Sequence, residues 1–301
     1  MASHSPTLPA LRVDTAPVPP WRRALRRVLG QHGLTIGATL LAIIVMAALF
    51  APLLAPHDPY GQDLSRRLLP PVWHAKGSWL HALGTDKLGR DYLSRLLYGA
   101  RVSLMIGAAA AAISGLIGTT LGVLAGYFGG RVDGLISYVI TTRLAMPVVL
   151  VALAMSSLIG GSLKTVILLL GLLLWDRFAV VSRSVTQQLR DAEFIAAAKA
   201  VGASTFYILL RELLPNIMSA LIVVATLEMA HAILLEATLS FLGLGVPPPM
   251  PSWGLMISEG KAYMFFQPWV ILIPGSALAV LVLAINLVGD GMRDLTTPDG
   301  R

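Results

Sequence analysis

The stretch EFIAAAKAVGASTFYILLRELLPN, residues 193–216, decides how the rest of the chain is interpreted. It carries acidic and basic side chains, yet apolar runs of membrane length lie on both sides, over 163–182 and 215–243. A chain that leaves a membrane and re-enters it needs a structured polar segment between the two spans. The stretch therefore predicts a membrane protein that displays a helix–glycine–helix element in water.

The first helix of this element is predicted over 191–201. Its apolar side chains recur at helical spacing and are predicted to share one face: Phe194, Ile195, Ala198 and Val201. Gly202 suits the left-handed position that ends many helices. The small alanines beside this face would let another protein approach closely.

A second short helix is predicted over 205–214, with Ser204 as its N-cap. Pro215 then opens the next span at a first-turn position, where its missing N–H is tolerated. From the residues alone, the element is either a connector between two spans or a docking surface for another protein.

The composition of the chain is that of an integral membrane protein. Of its 301 residues, 55% are hydrophobic and 13% are charged, against about 25% charged in soluble domains. No cysteine is present, which excludes disulfides and thiolate-ligated metals. The net charge of +7 comes without a basic stripe interleaved with aromatic residues, so nucleic acid is not an expected partner.

Six apolar segments match the roughly 20 residues that a helix needs to cross the hydrocarbon. These predicted spans are 34–55, 102–130, 133–157, 163–182, 215–243 and 268–289. The sequence therefore predicts an all-α protein with a transmembrane domain over 34–290. A proline-rich tail over 1–33 is predicted to be disordered, and a short C-terminus over 291–301 follows the last span.

The Lys/Arg distribution predicts that both termini are cytoplasmic. Arg22, Arg23, Arg26 and Arg27 lie shortly before the first span, and six spans return the chain to the same side. The loop 183–214 is then cytoplasmic and the loop 56–101 extracytoplasmic, although the latter holds seven Lys/Arg against four Asp. Its segment GRDYLSRLLYGARVSL, residues 89–104, predicts a helix lying along the membrane surface.

Ionisable residues near the middle of the spans form the second group of candidates: Arg143, Asp176, Arg177, Glu228 and His231. A charge at the bilayer centre costs about 2.5–3.5 kcal/mol on insertion scales, so these side chains face protein or water. They are either structural ion pairs or the lining of a passage for a solute with both charge signs. His231 suits nickel by ligand type, but the other histidines show no metal-ligand spacing, so no metal site is predicted.

The segment AAAKAVGASTFYILLRELLPN resembles the EAA loop of bacterial ABC importer permeases. The matching positions are Ala196, Ala197, Ala198, Gly202, Leu214 and Pro215. Two positions depart from the motif, since Ala196 replaces its glutamate and Glu212 occupies its hydrophobic position.

Four further blocks resemble the dipeptide/oligopeptide/nickel permease group, and more narrowly its C-type subunit. They are HALGTDKLGRDYLSRLLYGARVSL (81–104), GVLAGYFGGRVD (122–133), LSFLGLGVPPPMPSWGLMI (239–257) and NLVGDGMRDL (286–295). The resemblance covers about residues 34–297, and the order and spacing of the blocks make it specific.

The resemblance implies a type I ABC importer permease in a bacterial inner membrane. It implies three kinds of protein partner: a second, homologous permease, two ATPases that bind the EAA loop, and a solute-binding protein. ATP and Mg would be used by the ATPases, with no catalytic residue and no cofactor on this chain. The sequence has no G-x-x-x-x-G-K-[ST] loop, the motif that cradles nucleotide phosphates.

The resemblance implies dipeptides or oligopeptides as substrates, with nickel, glutathione or another small solute as the alternative. A different class, a self-sufficient secondary transporter or an intramembrane enzyme, would show paired broken helices or a catalytic constellation. The sequence contains neither G-x-S-x-G nor H-E-x-x-H. The proline-rich segment 245–254 is either a rigid turn or, with 56–100, a dock for the binding protein.

Overall fold

The structure, a computed structural model, describes residues 31–296, and in this range the secondary structure is helical apart from one isolated bridge between Thr85 and Asp91. Most of the predicted N-terminal tail lies outside the described residues. The helices are α1 (His32–Leu49), α2 (Ala51–Leu54), α3 (Tyr92–Phe128), α4 (Gly130–Leu144), α5 (Val148–Ile159), α6 (Leu163–Leu173), α7 (Asp176–Leu189), α8 (Glu193–Ala200), α9 (Thr205–Phe241), α10 (Trp253–Gly260) and α11 (Trp269–Thr296).

These helices confirm the all-helical fold with five or six apolar spans. Five are long and apolar enough to cross a membrane: α1, α3, α6 with α7, α9 and α11. The pair α4 and α5 makes a sixth only as one broken span, since the two helices meet at 83°. The break falls at Pro147, which has no N–H for a helical hydrogen bond.

Helix α3 differs from the prediction at its N-terminal end. The surface helix predicted over 89–104 is wrong, because α3 starts at Tyr92 and continues unbroken to Phe128. Asp91 caps this start and accepts a hydrogen bond from the Ser94 N–H at 2.8 Å. The basic segment is therefore the first third of one continuous helix, which begins ten residues before the predicted span 102–130.

Helix α9 also differs, because the predicted helix 205–214 and the following span form one continuous helix. Pro215 lies inside it and cannot donate to the preceding turn. The residues just before it, Ile208–Leu213, form a π-helical turn. Such a local insertion accommodates a missing hydrogen bond within a helix. The side-chain amide of Asn216 donates to the Glu212 carbonyl at 2.6 Å and satisfies that acceptor.

The closest helix contact joins α3 to α7 through three glycines spaced four residues apart. A Cβ added to Gly118 would lie 2.1 Å from the Trp175 carbonyl oxygen, and one added to Gly122 would lie 2.4 Å from that of Ala179. Gly126 approaches the backbone of α7 in the same way. Small residues at this spacing let helix backbones approach in membranes, where dispersion contacts drive association.

Helix α10 was not predicted; it follows the proline-rich segment and closes the end of the fold where α3 begins. Ser252 caps α10, and Trp253 and Met256 are buried against α3, α9 and α11. The last turn of α10 places Glu259 against two buried arginines.

Those arginines account for part of the excess positive charge of the loop 56–101. Arg90 contacts Asp86 at 2.6 Å and Glu259 at 3.1 Å. Arg95 contacts Glu259 at 2.6 Å and Asp86 at 3.4 Å. Two of the loop's positive charges are therefore neutralised inside the protein and do not count as free orientation signals.

We predict that Gly122→Ala destabilises the protein by about 1–3 kcal/mol, the usual cost of overpacking. The added methyl group has no room against α7. The same change at Gly134, where an added Cβ meets nothing within 4 Å, is the matched control and should be neutral or slightly stabilising. Thermal unfolding in detergent measures both variants, and equal behaviour would contradict the close α3–α7 contact.

Candidate translocation site and docking surface

Two helix breaks and one unbroken helix meet at the candidate site. The first break separates α4 from α5, and the second, at Leu174 and Trp175, separates α6 from α7. Helix α9 passes these breaks and contributes Glu228 and His231. Each break frees backbone groups that must find partners, because lipid supplies none.

Two of the predicted charged residues satisfy these freed groups. The Arg143 guanidinium, at the end of α4, donates to the Leu173 carbonyl at the end of α6. The Asp176 carboxylate, in the first turn of α7, accepts a hydrogen bond from the Arg177 N–H at 3.0 Å. The first contact therefore joins the end of α4 to the end of α6, and the second satisfies an N–H group in the first turn of α7.

Glu228 is the acidic centre of the site and is fully buried. Its Oε1 lies 3.1 Å from Nη1 of Arg177 at an angle that does not make a hydrogen bond, so the contact is an ion pair. Its Oε2 lies 3.4 Å from Nδ1 of His231, one helical turn along α9. Glu228 thus keeps an oxygen that is buried and without a hydrogen-bond donor.

All five predicted residues line one cavity of about 150 Å³. The cavity holds two guanidinium groups, two carboxylates and one imidazole, with apolar walls from residues such as Leu144 and Leu174. The Arg177 side chain is 57% exposed and connects the buried carboxylate to the surface. The cavity therefore offers both charge signs to a solute. Its own groups also pair, since Glu228 contacts both Arg177 and His231.

Sequence reasoning missed Glu236, which lies two turns beyond Glu228 on α9. It is fully buried, and its Oε1 accepts hydrogen bonds from Ser240 at 2.7 Å and Ser252 at 2.8 Å. A carboxylate eight residues after Glu228 in an apolar run was the available signal. Glu236 fastens α9 to the start of α10 and lies outside the cavity.

The predicted docking element is built on Gly202. Its φ is +85°, as predicted for a left-handed residue at a helix end. The Gly202 N–H donates to the Lys199 carbonyl at 3.0 Å, and the Ala203 N–H donates to the Ala198 carbonyl at 3.0 Å. This pair of hydrogen bonds is a Schellman motif, and Ser204 then caps α9 as predicted.

The single apolar face predicted for α8 is wrong, because its residues divide between two faces. Ile195 is fully buried and packs with Ile208 and Leu213 of α9. Phe194 is 39% exposed and Val201 is 89% exposed. Phe194 and Val201 are seven residues apart and share the outward face of the helix, whereas Ile195, adjacent to Phe194, lies on the inward face.

The outward face of α8 and the first turns of α9 form an exposed apolar surface on the element 193–210, which is the candidate docking surface. Its exposed large side chains are Phe194, Val201, Phe206, Tyr207 and Leu210. Ala196 and Ala197 are exposed between them, whereas Leu214 is half-buried. The Lys199 ammonium lies 5.4 Å from the centroid of the Tyr127 ring and ties α8 to the end of α3.

Two family descriptions match the sequence. Residues 118–299 match the binding-protein-dependent transport system inner membrane component family. Residues 19–71 match the N-terminal TM domain of oligopeptide transport permease C. The first match covers more than half of the chain, including both helix breaks and the docking element.

Curated relatives cover most of the chain. The dipeptide transport system permease protein DppC of Alkalihalophilus pseudofirmus is 38% identical and covers 99% of this chain and 96% of its own. The di/tripeptide permease DppC of Pseudomonas aeruginosa is 40% identical over 87% of this chain and 86% of its own. The glutathione permease GsiD of Pectobacterium atrosepticum is 36% identical over 97% and 95%.

A solved structure shows a similar fold. An inward-facing structure of the MetNI methionine ABC transporter matches with a TM-score of 0.56 at 20% identity, covering 67% of this chain and 97% of that one. At this identity the match concerns the fold, and it confirms the type I importer permease architecture.

We predict that Arg177→Met costs about 1–3 kcal/mol of stability. This is less than the ~3–5 kcal/mol for a fully buried pair, because Arg177 is largely exposed. The double variant Arg177→Met/Glu228→Gln removes the unpaired buried charge as well and should recover most of that stability. A double-mutant cycle of thermal unfolding measures the coupling, and purely additive changes would contradict the ion pair.

Proposed function

Since the chain belongs to the binding-protein-dependent transport system inner membrane component family and is the permease subunit of an ABC importer, we propose that it takes up dipeptides or oligopeptides. A separate solute-binding protein delivers them, and separate ATPase subunits supply the energy. The chain itself has no catalytic residue and holds no nucleotide. ATP and Mg belong to the ATPases.

One observation carries the coupling part of this proposal: the α9 part of the exposed docking surface, with Phe206, Tyr207 and Leu210, lies on the same continuous helix as the buried Glu228. Helix α9 starts at Thr205 inside the docking element and reaches Glu228 without a break. A displacement of the docking surface would therefore move Glu228 and His231 relative to the broken helices. Coupling between distant sites requires such a physically connected element with two arrangements.

The remaining assembly follows the same reasoning. A second, homologous permease completes the membrane pore, and two ATPases occupy the docking surfaces of the pair. Both termini and the loop 183–214 lie in the cytoplasm, and the loop 56–91 with the segment 245–252 faces the binding protein. The bilayer surrounds the exposed apolar faces of α1 and α11, and no nucleic acid takes part.

Peptides are favoured as substrates by the cavity and by the relatives. A zwitterionic peptide presents one ammonium and one carboxylate, and the cavity offers both Glu228 and Arg177. Glutathione, the substrate named for one relative, also carries an ammonium group, with two carboxylates, and is the second candidate. Nickel is less well supported, since His231 is the one imidazole among the cavity's lining residues and stable binding needs several ligands.

Uptake of labelled substrates by a deletion strain tests the function. We predict that the wild-type gene restores uptake of a radiolabelled dipeptide. The stable double variant Arg177→Met/Glu228→Gln should lower that uptake at least tenfold, if the pair contacts the passing solute. Normal dipeptide uptake by the double variant would make the pair structural, and restored uptake of glutathione or nickel alone would overturn the peptide assignment.

A second test concerns the docking surface. We predict that Gly202→Val prevents retention of the ATPases, because a β-branched residue at positive φ costs about 1–3 kcal/mol and would tilt α8. No atom lies within 4 Å of an added Cβ, so the effect would come from backbone strain alone.

The controls for this test separate strain from surface chemistry. Gly202→Asn should keep the ATPases, since asparagine tolerates the left-handed conformation. Val201→Asp should prevent retention of the ATPases without altering the fold. Leu64→Asp also places an aspartate at an exposed apolar residue, and it should leave ATPase retention unchanged. Co-purification of the complete complex measures retention of the ATPases. Unchanged retention in both Gly202→Val and Val201→Asp would show that the segment 193–210 only connects two spans.

A further inference from the structure

We propose that His57, His81 and Asp91 form a binding site for a divalent transition metal ion of the zinc type. The three residues come from the beginning, the middle and the end of the loop between α2 and α3. Their ligand atoms all lie within 4.8 Å of one another. The sequence showed no metal-ligand spacing among the histidines, because the three positions meet only through the fold of this loop.

The distances around Asp91 approach those of a tetrahedral site. Nδ1 of His81 lies 2.9 Å from Oδ1 of Asp91, and Nδ1 of His57 lies 3.6 Å from the same oxygen. Metal–ligand bonds of about 2.0 Å in a tetrahedron separate the ligand atoms by about 3.3 Å. The two observed separations lie on either side of this value, so small rotations of the side chains would admit an ion.

His57 is the residue whose environment points to a ligand. Its Nδ1 is buried and has no hydrogen-bond partner among the described residues, although it faces a carboxylate. A buried polar atom without a partner is costly, and a metal ion between Nδ1 and Oδ1 would satisfy both. The rest of the side chain is 34% exposed, which leaves a path for the ion to enter.

Hydrogen bonds to Ser94 hold Asp91 and the backbone of His57 in place. Asp91 is buried, and its second oxygen, Oδ2, accepts from the Ser94 N–H at 2.8 Å and the Ser94 hydroxyl at 2.7 Å. Oδ1 therefore remains directed at the histidines. The backbone N–H of His57 donates to the Ser94 hydroxyl at 3.1 Å. Ser94 thus orients two of the three ligands, as outer-shell partners of metal sites do.

The ligand set indicates which ion would bind and what it would do. Two neutral imidazoles and one carboxylate suit zinc and leave a fourth position for water. Thiolates cannot contribute, since the chain has no cysteine. The ion would fasten the start of the loop at His57 to the first turn of α3, next to the buried Asp86, Arg90 and Arg95 cluster.

Binding of Zn²⁺ to the full-length, tag-free chain in detergent tests the proposal. After treatment with a chelator and addition of Zn²⁺, we expect one tightly bound ion per chain by elemental analysis. His57→Ala and His81→Ala should each abolish it, and Ser94→Ala should weaken it roughly 10–100-fold. His74→Ala changes an exposed histidine of the same loop and should leave binding unchanged.

Circular dichroism and thermal unfolding distinguish loss of the metal site from loss of the fold. His57→Ala leaves the His81–Asp91 hydrogen bond in place, so it should fold normally by circular dichroism. Zn²⁺ should raise the Tm of the wild type and of His74→Ala but not that of His57→Ala. Absence of a stoichiometric ion in the wild type, or equal binding in His57→Ala, His81→Ala and His74→Ala, would overturn the site.

Discussion

The fold depends on one constraint: every backbone polar group at membrane depth must find its partner inside the protein. Helical hydrogen bonding is interrupted at Pro147, at Leu174 and before Pro215, and local contacts supply partners at the last two positions. The Arg143 guanidinium binds the Leu173 carbonyl, and the Asp176 carboxylate binds the Arg177 N–H. The π turn with the Asn216 side chain repairs the third. Two of these contacts require a charged side chain in the middle of the spans, and those charges form the candidate site around Glu228.

The close packing of α3 against α7 forms the pair of helices against which α9 lies. The glycines of α3 bring the two backbones into contact. Helix α9 packs against this pair and carries part of the proposed docking surface at one end and Glu228 near its middle. Broken helices also occur in secondary transporters, but the family match over 118–299 places this chain with the ABC importers.

Much of this arrangement could be predicted from the sequence, and the failures have physical reasons. Hydropathy and glycine placement predicted the spans, the left-handed Gly202 and the charged residues that meet in one cavity. The start of α3 was wrong because Arg90 and Arg95 were interpreted as surface charges, whereas Glu259, far away in the chain, neutralises them. The face of α8 was wrong because Ile195 packs inward on α9, a contact that helical spacing alone does not show. The convergence of His57, His81 and Asp91 depends on an irregular loop, which periodicity cannot describe.

The central claim is that α9 transmits a displacement of the docking surface to Glu228 as a rigid helix. Pulsed electron-spin distance measurements test it, because the chain has no native cysteine and spin labels can be placed at single exposed positions. Labels at Thr205 and Leu227 lie on α9, about 33 Å apart along its axis, and a third position, Leu168 on α6, reports relative motion. In the assembled transporter, the Thr205–Leu227 distance should stay constant between nucleotide-free and ATP-bound states while the Thr205–Leu168 distance changes. A change confined to the Thr205–Leu227 pair would show that the π turn absorbs the motion, and would contradict the account.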